Sequence, residues 1–202
     1  QLIGSTPLGA RPFGVAVSRT GVVYVTQLDA ASVTRLDTTL SAGAPIAVGN
    51  VPTGVTFAPR GDVAYVTNQW SQSVGVIDVA SGRQLSTIGI PADPFVPFVS
   101  PDGSKLFITS NTNNVFVAST STRAITDVVQ LTHAPNGFAL HPDQKRIYVS
   151  ASFGGTVHEI DIASNAILRT FAPGGTPQGL VVSKDGSELF VANEAGWMDV
   201  YS

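Results

Sequence analysis

One unit of about 41 residues, repeated five times, governs what this chain of 202 residues can fold into. Five prolines keep its period: Pro12, Pro52, Pro94, Pro135 and Pro177, spaced 40, 42, 41 and 42 residues apart. A second landmark runs in step with them. Tyr24-Val25-Thr26-Gln27, Tyr65-Val66-Thr67-Asn68, Phe107-Ile108-Thr109-Ser110, Tyr148-Val149-Ser150-Ala151 and Phe190-Val191-Ala192-Asn193 recur at 41, 42, 41 and 42. A unit this small cannot bury its apolar face alone, so the copies must stack on one another.

Each unit reads as four short strands. An apolar run follows the proline, as in Gly14-Val15-Ala16-Val17 and Gly179-Leu180-Val181-Val182. A turn comes next, clearest in Ser100-Pro101-Asp102-Gly103 and Ser183-Lys184-Asp185-Gly186, where the residue types fit a type I turn. The Tyr-Val-Thr-Asn segment is β-branched and aromatic and suits a pleated surface. A polar loop leads to a third strand such as Ser73–Asp78 or Thr156–Asp161, and a small turn to a fourth such as Gln84–Ile88 or Ile167–Phe171. The inner two strands are nearly continuous in apolar residues and the outer two alternate, as in a sheet packed on both faces at one edge and wet at the other. A four-stranded unit of this length is a propeller blade, whereas most solenoid repeats of similar length are helical. The expected fold is therefore all-β, a five-bladed β-propeller with four-stranded blades.

Tyr65-Val66-Thr67-Asn68, with Val74-Gly75-Val76-Ile77-Asp78 after it, resembles the YVTN family of β-propeller repeats found in surface-layer-type and YncE-like proteins. The resemblance covers essentially the whole chain and implies the propeller fold; it says little about activity, since one fold hosts many. Propellers of that family typically have seven blades, so a five-blade ring and a piece of a longer propeller both remain open. The ends favour the ring. The fifth unit stops after its third strand, and Gln1–Gly9 aligns with the fourth strand of the other units. The expectation is one domain over residues 1–202, with units 12–51, 52–93, 94–134, 135–176 and 177–202 plus 1–11. In this reading the N-terminal strand closes the last blade and removes an open sheet edge.

Composition excludes several functions. Charged residues are 12% of the chain, about half the usual share of roughly 25%, and net charge is −3 with no basic cluster. Nucleic acid is therefore not an expected partner. No run approaches the 18 apolar residues of a membrane span. Cysteine is absent, which removes disulfides, thiol catalysis and cysteine-bound zinc. The chain opens on Gln1 rather than Met, which fits a mature exported protein, so an extracellular, periplasmic or cell-surface location is expected, as a monomer.

In a propeller the loops before the first strand and between the second and third strands emerge on one face, where ligands meet scaffold ends. The costly, non-repeating residues on that face are Arg11, Asp29, Trp70, Asp93, His133, Phe153 and Glu194. Trp70 and Phe153 interrupt small polar loops and can serve as plugs over the blade, interface anchors or ligand platforms. Arg11 beside Asp29 or Asp93 reads as a surface ion pair before an anion site. By repeat position His133, His141 and His158 do not converge, so no metal site is expected. Asp102-Gly103 and Asp185-Gly186 are turns without the acidic spacing of a calcium loop. No helix follows Gly154-Gly155 or Gly174-Gly175 to make a phosphate cradle.

The functional expectation is a non-catalytic binding or scaffold module. It would present one asymmetric loop face at the central channel to a protein, glycan or small molecule, with no cofactor. The alternative is a propeller enzyme of lyase, lactonase or glycan-hydrolase type. Its acid–base groups would be Asp29, Asp93, His133 and Glu194, which come from four different units and do not make a close carboxylate pair. A lectin with one site per blade needs near-identical loops, and these differ in nearly every residue.

Overall fold

A computed structural model describes residues 4–202. Five antiparallel sheets follow one another along the chain, each made from consecutive strands. The first contains β1 (Pro12–Val17), β2 (Val23–Gln27), β3 (Ser32–Leu36) and β4 (Ile46–Ala47); the second, β5 (Pro52–Phe57), β6 (Val63–Asn68), β7 (Ser73–Asp78) and β8 (Arg83–Gly89). The third holds β9 (Pro94–Val99), β10 (Lys105–Ser110), β11 (Asn114–Ser119) and β12 (Ala124–Gln130); the fourth, β13 (Phe138–Leu140), β14 (Arg146–Ala151), β15 (Thr156–Asp161) and β16 (Ile167–Phe171). The fifth has three described strands, β17 (Pro177–Val182), β18 (Leu189–Asn193) and β19 (Trp197–Tyr201).

The expected closing strand falls partly outside the described residues. Its first residues, Gln1–Ile3, lie outside the described residues, and Gly4–Ala10 form no strand. Gly9 sits at φ +87°, as Gly174 at the matching repeat position sits at +73°, and the Thr6 hydroxyl donates to Leu40 O at 2.7 Å.

Two compact units are present. The first runs to Ile108 and includes Ala118–Ile125; its core joins Tyr24 and Val33 of the first sheet to Val55, Val66 and Ile77 of the second. The second comprises Thr109–Val117 and Thr126–Ser202; its core joins Tyr148 and Val157 of the fourth sheet to Leu189 and Val191 of the fifth. Aromatic pairs reinforce both, Tyr24 with Phe57 at 5.0 Å in the first and Phe171 with Tyr201 at 4.9 Å in the second.

The two landmarks of the repeat meet in one device. The first strand bulges after its proline, between Pro12 and Val15, Pro52 and Val55, and Pro177 and Leu180. A bulge takes a backbone amide out of the ladder, and a buried amide needs another acceptor. The hydroxyl at the third motif position supplies it. Gly14 N donates to Thr26 Oγ1 (2.7 Å), Gly54 N to Thr67 Oγ1 (2.8 Å) and Gly137 N to Ser150 Oγ (3.0 Å). Each hydroxyl then donates to a carbonyl one residue after the next proline: Thr26 to Thr53 O (2.8 Å), Thr67 to Phe95 O (2.6 Å) and Ser150 to Gln178 O (2.9 Å). Thr109 makes the same step to Asn136 O at 3.1 Å. The periodic Ser/Thr is thus a latch to the following sheet. Glycine is required beside it because the next strand comes too close: a Cβ on Gly54 would lie 2.6 Å from Phe95 O.

Candidate functional site

The loop after the second strand has one shape in three sheets. Leu28–Ala30, Gln69–Ser71 and Ser152–Gly154 each make a single 3-10 turn ended by a left-handed residue, Ala31, Gln72 and Gly155. Asp29, Trp70 and Phe153 therefore occupy one structural position. The middle residue of such a turn has no ladder partner to pack on, and Trp70 is 72% and Phe153 86% exposed. Neither ring is packed down over its blade as a plug would be.

In the first compact unit these loops border an open cleft of about 800 Å³. Phe13, Thr53 and Phe95, each one residue after a repeat proline, line it from the first strands; Asp29, Gln69 and Trp70 line it from the 3-10 turns, and Arg11 and Asn50 from the preceding loops. Arg11 Nη1 donates to Asp29 Oδ1 at 3.2 Å with both side chains largely exposed, the surface ion pair expected from sequence. Thr53 is buried and committed, its hydroxyl reaching Phe95 O at 2.9 Å. The cleft so combines exposed aromatic faces, side-chain amides and one fixed ion pair, and Asp29 is the one carboxylate among its described lining residues.

The other expected residues lie elsewhere. Asp93 is half-buried and accepts from Gln72 Nε2 at 3.3 Å; it does not line the cleft. His133 is exposed in the second unit and packs directly on Gly154, whose Cα has no room for a side chain against the imidazole. Glu194 lines a shallow hollow of about 470 Å³ with Trp197 and Met198. Asn193 holds that loop pair: its amide oxygen accepts from Thr176 N (2.7 Å) and Ala195 N (3.2 Å), and its amide nitrogen donates to Gly174 O (2.8 Å).

Two of the three histidines are buried. His158 is buried between Thr156 and Thr170, and its imidazole is pushed below the usual range by burial and then by the charge of His133. His141 is buried at the opposite turn, with Nε2 3.2 Å from Gly186 O. Among the described residues no group of three or more His, Asp or Glu could hold a metal ion. Asp102 and Asp185 serve their turns, accepting from Ser100 and Ser104 and from Ser183 and Ser187.

Most of the lining residues were not among the sequence candidates, Phe13, Asn50, Thr53, Gln69 and Phe95 among them. A signal for two of them was present. The residue after the proline is polar in three units, Thr53, Asn136 and Gln178, and aromatic only at Phe13 and Phe95.

Successive antiparallel meanders, latched through one repeated hydroxyl, are the blades of a β-propeller. Comparison with solved structures agrees. The chain is similar to hydrazine synthase of Kuenenia stuttgartiensis, with a TM-score of 0.84 and 24% identity over 94% of this chain and 57% of that one. It is also similar to the Cps50 (Swd1) β-propeller domain of Myceliophteria thermophila, with a TM-score of 0.82 and 13% identity over 98% of this chain and 67% of that one. The chain thus spans little more than half of the hydrazine synthase chain it matches. At these identities the likeness fixes the fold, and the five sheets are five blades. No family model and no curated protein matches the sequence, so the YVTN resemblance rests on its motif residues. Among the described residues no helix is long and apolar enough to cross a membrane.

Proposed function

We propose that this propeller is a non-catalytic binding module of YVTN type whose ligand, a neutral oligosaccharide, occupies the cleft bordered by Phe13, Trp70 and Phe95. The observation that carries this reading is the pairing of an exposed indole with side-chain amides in one open cleft. A sugar ring offers an apolar face for stacking and hydroxyls that donate and accept. Trp70 and Phe13 meet the face; Asn50, Gln69 and the Arg11–Asp29 pair meet the hydroxyls. One carboxylate, already engaged by Arg11, does not supply the pair of acid groups that glycoside hydrolysis uses. The reading is therefore binding without turnover.

Hexasaccharides of cellulose, chitin and mannan, titrated while tryptophan emission is followed, test it. Binding should quench or blue-shift the emission, and the heat of binding, measured in parallel by titration calorimetry, should disappear in Trp70→Ala and weaken in Phe13→Ala. Binding of equal strength in both variants, or no response to any of the three sugars, refutes the reading.

A further inference from the structure

The loop that leads into Pro52 carries its backbone strain on an unsuitable residue. Of Gly49, Asn50 and Val51, only Val51 is left-handed, at φ +51°. A β-branched side chain disfavours that region, and a residue before proline favours extended angles. The fifth blade holds a loop of the same length in another form. Gly174, Gly175 and Thr176 lead into Pro177, and there the first two are left-handed, at φ +73° and +54°, while the third is not.

The asparagine behind each loop registers the difference. Asn193 is fully engaged: its Oδ1 accepts from Thr176 N (2.7 Å) and Ala195 N (3.2 Å), and its Nδ2 donates to Gly174 O (2.8 Å). Asn68, at the same motif position in the second blade, is completely buried. Its Nδ2 reaches only Ser73 Oγ, at 3.3 Å, and its Oδ1 has no partner among the described residues. A buried acceptor left without a donor is costly. One bond is common to both loops, since Gln69 N donates to Val51 O at 2.9 Å and Glu194 N to Thr176 O at 3.1 Å. With that carbonyl anchored in each, the two forms differ in the peptide planes before it. Turning those planes moves the left-handed conformation from Val51 to Gly49 and Asn50, a glycine and an asparagine that tolerate it. Ser71 holds the strained form, its Oγ accepting from Asn50 N at 2.8 Å.

We propose that Gly49–Val51 is a two-state loop in which Asn68 is the positioning residue, and that its second state, the form of the fifth blade, is the one in which the cleft binds. In that state Asn68 Oδ1 accepts from Val51 N, as Asn193 does from Thr176 N, and from Trp70 N two residues along its own chain, as Asn193 does from Ala195 N. The loop is thereby tied to the turn that carries Trp70. Asn50 and Val51 both line the cleft, so the change reverses a peptide group at its wall, and a ligand that meets that group in one form alone selects the form. The ligand's chemistry rests on the oligosaccharide reading; the two states of the loop do not.

Relaxation-dispersion NMR on the ligand-free protein tests the switch. Exchange is expected at the Asn50, Val51 and Trp70 amides on the microsecond-to-millisecond scale. Val51→Gly relieves the strain and should abolish it, while Ser71→Ala removes the bond that holds the strained form and should enlarge it. Titration calorimetry with the three hexasaccharides reads the affinity. Ser71→Ala should bind roughly threefold to tenfold more tightly than wild type, a gain that loss of a merely structural bond does not produce. The gain should vanish when Ser71→Ala is made in an Asn68→Ala background. Absence of exchange at these amides in both wild type and Ser71→Ala overturns the proposal whether or not a sugar binds. So does a sugar that binds Ser71→Ala no more tightly than wild type, or a gain that persists without Asn68. If no sugar binds any variant while the exchange follows the substitutions as stated, the two-state loop stands and the oligosaccharide reading falls.

Discussion

Replacing Thr67 by valine tests the latch with little change of volume, so the result reads the hydroxyl rather than a cavity. Thr67 is fully buried. Its Oγ1 accepts from Gly54 N at 2.8 Å and donates to Phe95 O at 2.6 Å. A buried polar group left without its partner costs about 1–3 kcal/mol, and two groups lose one here. The losses are unequal. Phe95 O keeps a second donor, Thr53 Oγ1 at 2.9 Å, while the bulge has already taken the Gly54 amide out of the ladder. Most of the cost falls on that amide, so the total should be about 2–3 kcal/mol. For a domain of this size that lowers Tm by roughly 4–12 °C. Urea unfolding followed by circular dichroism measures it, with an unchanged m-value showing that both states keep their exposed surface. Thr67→Ser keeps the hydroxyl and should lose much less. If Thr67→Val costs under about 0.5 kcal/mol, or Thr67→Ser costs as much as valine, the hydroxyl is not what joins these blades.

Gly54→Ala attacks the same contact sterically. The new Cβ would land on Pro97 Cδ and 2.6 Å from Phe95 O, neither of them a flexible chain end, so a loss of about 1–3 kcal/mol or more is expected in urea. Gly89→Ala, with nothing within 4 Å of the added methyl, should not destabilise. Acid should weaken the second unit at its turns. Asp143 is held at about 2: partial burial raises it, but hydrogen bonds from the Lys145 amide, Arg146 and His141 more than offset that. Asp185 is held at about 2 by the hydroxyls and amide of Ser183 and Ser187. Both lie below the ordinary value of 3.8, so their contribution is whole above about pH 4 and is lost as pH falls towards 2. Urea midpoints at pH 5, 4, 3 and 2 should fall along that window, and the fall should flatten in Asp143→Asn and Asp185→Asn.

The blades were legible because the latch is periodic: a bulge that needs glycine, a hydroxyl that serves it and a proline before it leave three marks in every copy or nearly so. The cleft was half legible. Arg11, Asp29 and Trp70 stood out because they are unusual for their loops, and all three line it. Phe13 and Phe95 looked like strand residues, since an aromatic in an apolar run is ordinarily core, and only register shows that their position borders the cleft. The closing strand is the part least tested: Gln1–Ile3 lie outside the described residues and Gly4–Ala10 form no strand, although Gly9 keeps the left-handed angle of Gly174 at the same repeat position.

The division between latch and cleft also explains how one repeat carries an unequal face. At the position after the proline the latch takes only the backbone carbonyl, as at Phe95, Asn136 and Gln178. The latch does not fix the side chain there, and it varies from phenylalanine to threonine, asparagine and glutamine, although Thr53 and Asn136 add bonds of their own to the next blade. The 3-10 turn imposes as little on its middle residue, since its shape comes from the left-handed residue that ends it, and Asp29, Trp70 and Phe153 ride on one backbone. These two freed positions lie side by side at the cleft, Phe13 and Phe95 beside Asp29 and Trp70. Blade packing and cleft lining therefore draw largely on different atoms of the same repeat: hydroxyl, amide and carbonyl join the blades, and side chains beside them, Phe13, Asp29, Trp70 and Phe95, line the cleft.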